Sequence, residues 1–274
     1  MNNLHRKLAP ISELAWEQIE DEATRTLKRY LAARRVVDVP EPKGAQFSAV
    51  GTGRVEKIAS PCDGVQAARR IVSPVVELRV PFTLSRQAID DVERGAEDSD
   101  WSPVKEAARK IAYAEDRAVF DGYAAAGIGG IRPGASNPAL ALPAVVTGYP
   151  DAVAQAINQL RLAGVNGPYK LVLGADAYAA ISGGSEEGYP VLEHIRRLVD
   201  DEIVWAPAIA GGLVLTARGG DFGLDIGLDF SIGYLSHSAT EVELYLQESF
   251  TFRLLTAEAA VALAAPGTES RPAG

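Results

Sequence analysis

The chain has 274 residues, 47% apolar and 23% charged, and carries a net charge of −9. This is the composition of a folded globular protein with one large core or two smaller ones, and its acidity disfavours a nucleic-acid or anionic-membrane surface. No apolar run approaches the about 20 residues of a spanning helix, and the single cysteine, Cys62, rules out an intrachain disulfide and any CxxC centre.

The N-terminal MNNLHRKLAPISELAW lacks the apolar centre of a secretory signal, so a cytoplasmic location is expected. A helix is then predicted over 12–33, SELAWEQIEDEATRTLKRYLAA, with Ser12 as its N-cap. Trp16, Ile19, Ala23, Leu27 and Tyr30 or Leu31 recur at three- and four-residue spacing and form one apolar face. Glu13, Glu17, Glu20, Asp21 and Glu22 precede Arg25, Lys28, Arg29, Arg34 and Arg35, the order the helix dipole favours. Such a helix either lies on its own core or docks on another chain, and the segment alone leaves both open.

Residues 36–82 are rich in Pro, Gly and short β-prone runs, with alternation only at Val76, Leu78 and Val80 against Glu77 and Arg79. A stretch with so little core of its own is unusual in a compact monomer and fits packing against a neighbouring subunit. Ser102 and Pro103 are expected to open a long helix that closes at Gly127, with Val104, Ala108, Ile111, Ala118 or Val119, and Phe120 buried. The prolines of 128–150 are expected to exclude regular structure. From 151 follow a helix to 163 closed by Gly164, a strand at 169–173, a short helix from Ala175, a helix over 190–199, and strands at 203–206 and 212–217.

The last third reads as strands. In TEVELYLQ (240–247) Val242, Leu244 and Leu246 face one way and Glu241, Glu243 and Tyr245 the other, and FTFRLLT repeats the alternation with Phe250, Phe252 and Leu254. In DFGLDIGLDF (221–230) Phe222, Leu224, Ile226, Leu228 and Phe230 share one face and Asp221, Asp225 and Asp229 the other. The aspartates match neither a calcium-binding nonapeptide repeat nor an EF-hand loop. Alternate carboxylates on a flat strand stand about 6.8 Å or more apart, too far to chelate one ion. The ladder is therefore read as a strand edge or hairpin with a wet face, without a metal.

No catalytic signature emerges. His5, His194 and His237 stand apart, Ser182 lacks the preceding glycine of a nucleophile elbow, and GTGRVE and GIGGIR fall short of a dinucleotide fingerprint. No catalytic residue and no cofactor are expected. A cytosolic hydrolase using carboxylates around Asp221–Asp229 is the enzyme alternative.

Several passages carry a resemblance: LAPISELAWEQIEDEATRTLKRYLAARRVVDV, SPVVELRVPFTL with the following ERG, GPYKLVLG, GYPVLEHIRRL, RGGDF, SIGY and QESFTFRLLTAEA. In this order and spacing, over roughly residues 4–265, the chain resembles the encapsulins, bacterial nanocompartment shell proteins, in wording nearest the actinobacterial branch. The resemblance implies an α+β tailed-bacteriophage major-capsid-type fold. An N-terminal helix and arm would occupy 1–45, an extended loop 46–80, and a peripheral domain with a spine helix 81–130. The axial domain would span 131–222 and the closing peripheral strands 223–265, with a disordered tail at 266–274.

It also implies an icosahedral shell, of about 60 copies in the simplest case, around a cargo such as a dye-decolorising peroxidase or ferritin-like protein. A C-terminal targeting peptide on the cargo would bind a groove whose matching positions here are Ile19, Leu27, Arg34, Val36, Asp38 and Phe252. Plain core packing is the competing reading for Ile19 and Leu27. In such a shell the 183–190 loop, GGSEEGYP, would meet its copies at the fivefold vertex and line a pore with Gly184, Ser185, Glu186, Glu187, Gly188 and Tyr189. No nucleic-acid or membrane partner is expected. A viral or prophage major capsid protein shares the implied fold and is the structural alternative.

Overall fold

The computed structural model describes residues 3–199 and 202–267. Ser12 accepts a hydrogen bond from the Ala15 N–H at 3.2 Å and starts α1 (Glu13–Tyr30). Its buried face holds Ala15, Ile19, Ala23 and Leu27 together with Glu22 and Thr26. The helix ends at Tyr30 rather than 33, because the Ala32 and Ala33 N–H groups turn to the buried carboxyl group of Asp116, at 2.8–3.1 Å.

The arm beyond runs beside a later strand, with Asp38 N–H donating to Phe222 O and Leu224 N–H to Asp38 O, both at 2.9 Å. It leads into the antiparallel hairpin β1 (Ala49–Ile58) and β2 (Ala67–Pro74), then β3 (Val76–Ser85) and α2 (Arg86–Glu93). The long helix α3 spans Ser102–Phe120. Its predicted face is buried, but Ser102 is its first helical residue rather than its cap, and Asp100 accepts the Ser102 N–H at 2.9 Å.

Nor does α3 run to Gly127. At Gly122 (φ +90°) the chain folds into a tight loop, where a Cβ on Gly130 (φ +76°) would lie 2.3 Å from the Gly122 nitrogen. Two backbones meet there, and only glycine fits. The proline-rich stretch also carries more order than expected, in the single helical turn α4 (Ile131–Gly134) and the short strand β4 (Leu140–Ala141).

The next segment follows the predicted alternation, with a miniature hairpin in place of a plain loop and a last helix shorter than 190–199: α5 (Tyr149–Leu162), β5 (Tyr169–Leu173), α6 (Ala175–Gly183), the hairpin β6 (Ser185–Glu186) and β7 (Tyr189–Pro190), α7 (Val191–Arg196), β8 (Ile203–Trp205) and β9 (Gly212–Thr216). The closing strands are β10 (Phe222–Ile226), β11 (Ser231–His237), β12 (Glu241–Leu254) and β13 (Ala260–Ala264).

Two main sheets result. One has the order β4-β13-β9-β5-β8, parallel at β13–β4 and β5–β8 and antiparallel between. The other is organised by β12, one uninterrupted strand rather than two, with β3 along one edge and β11 then β10 along the other. Helices α5 to α7 cover the first sheet and α1 to α3 the second. A third core joins them, built from Ala33, Val36, Phe120, Leu213, Phe222 and Phe250 among others.

The 221–230 ladder is not one strand with a wet face. Its strand stops at Ile226, and Asp221 and Asp225 are each only 3% exposed. Their burial is tolerated because each meets a cation: Arg218 at 2.9 Å for Asp221, and Lys43 and Arg253 at 2.6 and 2.7 Å for Asp225. Among the described residues no helix is long and apolar enough to cross a membrane.

Candidate functional site

The residues expected to receive a cargo peptide divide between two environments. Ile19 and Leu27 are buried in the core beneath α1, beside α3 and β12, and Ile19 has no exposed surface. Val36 and Phe252 belong instead to the core that joins the sheets, where Phe252 pairs with Leu224. Only Arg34 and Asp38 of the set offer polar atoms at this junction. Val36 and Asp38 line a small cleft of about 110 Å³ with Lys170, Thr216, Gly219 and Phe222. There Asp38 accepts the Gly220 N–H at 2.7 Å, and Lys170 donates to the Arg35 carbonyl at 2.7 Å.

Arg34 is the hub of the junction. Its Nε reaches both Glu115 oxygens at 3.0 and 2.9 Å, and its Nη2 lies 2.6 Å from one of them. Nη1 donates to Asp229 at 2.8 Å and Nη2 to Glu248 at 3.3 Å, while the guanidinium carbon sits 4.4 Å from the Phe230 ring centroid. Three carboxyl groups thus share one cation, and Glu115 and Glu248 are wholly buried.

The electrostatics follow from that excess. Burial pulls the Arg34 guanidinium down, but the Glu115 and Asp229 carboxylates reverse this and leave it raised, permanently charged. Burial first, and then the neighbouring Glu115, push Glu248 well above the ordinary glutamate range. Glu248 Oε1 has no hydrogen-bond partner, and the side-chain hydrogen bond with Glu115 favours the protonated form of Glu248. Asp116 is pushed up to about 8 by burial, against the pull of the Ala33 and Ala32 N–H groups and with help from Glu115.

These buried acids were not among the expected site residues, although a signal existed. Glu115 lies four residues from both Ile111 and Val119 on the apolar stripe of α3, a polar residue where periodicity demands an apolar one.

The loop expected to line a pore is the β6–β7 hairpin, turned by Glu187 (φ +47°) and Gly188 (φ +85°), the left-handed pair such tight hairpins require. Ser185, Glu186, Glu187 and Gly188 are exposed and Tyr189 half-buried. Gly184 is set by space, since a Cβ there would lie 2.7 Å from Val146 Cγ1. Tyr189 stacks on His194 at 4.6 Å between centroids, and His194 Nδ1 stands 3.7 Å from Glu186, a neighbour the sequence did not reveal.

Asp221, Asp225 and Asp229 are drawn to three different sets of cations, which removes the hydrolase alternative's carboxylate site. No group of three His, Cys, Asp or Glu among the described residues could hold a metal ion.

The architecture is that of a capsid protein. It superposes on the virus-like particle from Pyrococcus furiosus with a TM-score of 0.63 at 16% identity, covering 90% of this chain and 98% of that one. The capsid of Myoviridae phage XM1 gives 0.55 at 12% identity, covering 86% and 92%. These likenesses carry the fold; sequence carries the family. Residues 1–251 match the family described as encapsulating protein for peroxidase. The type 1 encapsulin shell protein of Rhodococcus erythropolis is 60% identical over 264 residues, 96% of this chain and 100% of that protein. The one from Mycolicibacterium paratuberculosis is 61% identical over 263 residues, 96% and 99%. Identity of that order over full length decides between a viral capsid and a nanocompartment, and the chain belongs to the type 1 encapsulin shell-protein family, a structural rather than a catalytic one.

Proposed function

We propose that copies of this chain close into an icosahedral shell of about 60 subunits in the cytoplasm, the simplest closed icosahedral arrangement, around an enzyme that carries a C-terminal targeting peptide. The observation that carries this reading is the β1–β2 hairpin. It forms a two-stranded sheet of its own, and Val55, Ile58, Val65, Ile71 and Val72 on it are 39–58% exposed. An isolated two-stranded hairpin is marginal in water, so a neighbouring subunit is what would cover it. In this reading 46–80 is the extended loop, 131–222 the axial domain around the fivefold vertex, and 81–130 with 223–265 the peripheral domain.

The cargo we favour is a peroxidase of the dye-decolorising kind, in keeping with the family description, or a ferritin-like protein; the first ties the shell to oxidative stress and the second to iron storage. Its peptide would lie along the arm that follows α1, with Arg34 and Asp38 fixing polar groups, Val36 and Phe252 lining the floor, and Ile19 and Leu27 supporting the helix from beneath. The 184–189 loop would gate small molecules.

Electron microscopy and analytical ultracentrifugation of the purified chain test the assembly. The parent should sediment as a hollow particle. A variant with residues 52–71 replaced by a short Gly-Ser linker should stay folded by circular dichroism yet remain small. A parent that never exceeds small oligomers would overturn the reading.

A further inference from the structure

Helices α1 and α3 enclose a cleft of about 670 Å³, lined by Arg25, Thr26 and Arg29 on one side and by Ser102, Lys105 and Arg109 on the other. Each helix thus presents two cations four residues apart to the same space. Like charges at that spacing repel and weaken a helix, and here the repulsion occurs on both walls in a chain of net charge −9.

Two carboxylates stand in the cleft and offset only part of its charge. Glu22, largely buried, is shared between Arg25 and Lys105, the latter at 4.0 Å, and accepts the Thr26 hydroxyl at 3.2 Å. Glu106 is engaged by Lys110 at 2.9 Å. Arg29 and Arg109 are both exposed; Glu106, already held by Lys110, is the carboxylate that feels the charge of Arg109. The Arg29 guanidinium lies over the Trp205 ring, 5.4 Å from its centroid, a contact that orders the group without using its N–H donors. The first turn of α3 opens at Ser102 and adds the positive end of a 19-residue helix, where Asp100 already accepts the Ser102 N–H.

We propose that this cleft binds an oligophosphate chain, whether inorganic polyphosphate or the triphosphate of a nucleotide. Guanidinium forks match phosphate oxygens in pairs. Four cations against two carboxylates, one of them also held by Lys110, leave a net positive charge that suits a multivalent anion better than a single carboxylate. The volume takes a short phosphate chain rather than a macromolecule, and the Tyr30 hydroxyl lies at its edge.

Equilibrium dialysis of intact, cargo-free full-length protein against inorganic tripolyphosphate at low salt tests it, with ATP, adenosine and hexaglutamate in parallel. Saturable binding of about one tripolyphosphate per chain is expected, weakened about tenfold or more in the double variant R29Q/R109Q. The control R94Q/R161Q removes the same charge outside the cleft and should bind as the parent does. Tripolyphosphate should raise the melting temperature of the parent and leave that of R29Q/R109Q unmoved, both melting alike without ligand. Equal binding of ATP and tripolyphosphate identifies the inorganic chain as sufficient, and clearly tighter binding of ATP identifies a nucleotide. No saturable binding, unchanged affinity in R29Q/R109Q, an equal loss in the control, or preference for adenosine or hexaglutamate would overturn the assignment.

Discussion

Arg34 and Glu115, 81 residues apart in the chain, meet in a forked ion pair with Nε at 2.9 Å and Nη2 at 2.6 Å from Glu115 Oε2. The pair clamps the arm leaving α1 onto the middle of α3, and Asp229 and Glu248 close around it. This clamp fixes the direction in which the arm runs toward Val36 and Asp38. It therefore governs the stability of the chain and the shape of the surface proposed for cargo.

The clamp should respond unequally to substitution. R34A strands buried Glu115 without its cation and should cost about 3–5 kcal/mol. E248Q should cost no more than about 1 kcal/mol, because burial and Glu115 already disfavour the charge on Glu248 and glutamine keeps its shape. E115Q, which removes the forked partner, should fall between them. Guanidinium denaturation of the three variants beside the parent gives the order; equal losses for R34A and E248Q would contradict it.

The raised acids set a pH dependence. In the unfolded chain Asp116 and Glu248 ionise near pH 4, whereas folded Asp116 keeps its proton up to about 8. Between those limits the native state binds the extra protons, so stability falls as pH rises through the window. Asp225 works in the opposite sense. Burial raises it, but Lys43 and Arg253 prevail and hold it below the ordinary aspartate value. Its contribution is present at neutral pH and lost as the medium falls below about pH 4. Melting temperatures between about pH 5 and pH 9 should decline toward the alkaline end, and D116N should flatten that decline even though it lowers stability throughout.

Gly233 is a packing contact with no room to spare. A Cβ there would lie 2.1 Å from Tyr245 Cζ, and Tyr245 in turn donates to the Asn3 carbonyl at 3.3 Å and carries Arg79 over its ring at 4.1 Å. G233A should expel the tyrosine, release the N-terminal segment from the sheet, and cost about 1–3 kcal/mol. G233A/Y245A, with the ring removed, should recover part of that loss in a double-mutant cycle. Additive losses would show that the two residues act independently.

The exposed Glu186 and Glu187 give the proposed pore a negative rim. In assembled shells carrying a luminal metal indicator, E186Q/E187Q should slow divalent cation passage about threefold or more at low ionic strength. The difference should shrink toward physiological salt, where the screening length is about 8 Å. Neutral hydrogen peroxide should pass at the same rate in both. An unchanged cation rate in intact shells at low salt would place the limiting pore elsewhere.

Much of the fold was legible because it is written in local patterns. The α1 face at Ile19, Ala23 and Leu27, the alternation of Val242, Leu244 and Leu246, and Gly164 at the end of α5 each follow from the periodicity or backbone needs of one element. The exposed hairpin was legible as a region without a core. Family membership rested on the order of longer passages, which no single periodicity contains.

What tertiary structure alone decided was where each charge goes and where each helix stops. Asp221 and Asp225 looked like a wet face because alternation reports polarity, not surroundings; cations from Lys43, Arg218 and Arg253 make their burial possible. The end of α1 depends on an acceptor, Asp116, that is 84 residues beyond the Ala32 N–H it binds. Arg34 finds Glu248 across 214 residues. Side-chain periodicity describes one element against an unspecified interior, whereas a buried ion pair requires two elements brought to within hydrogen-bond distance, and only the folded chain does that.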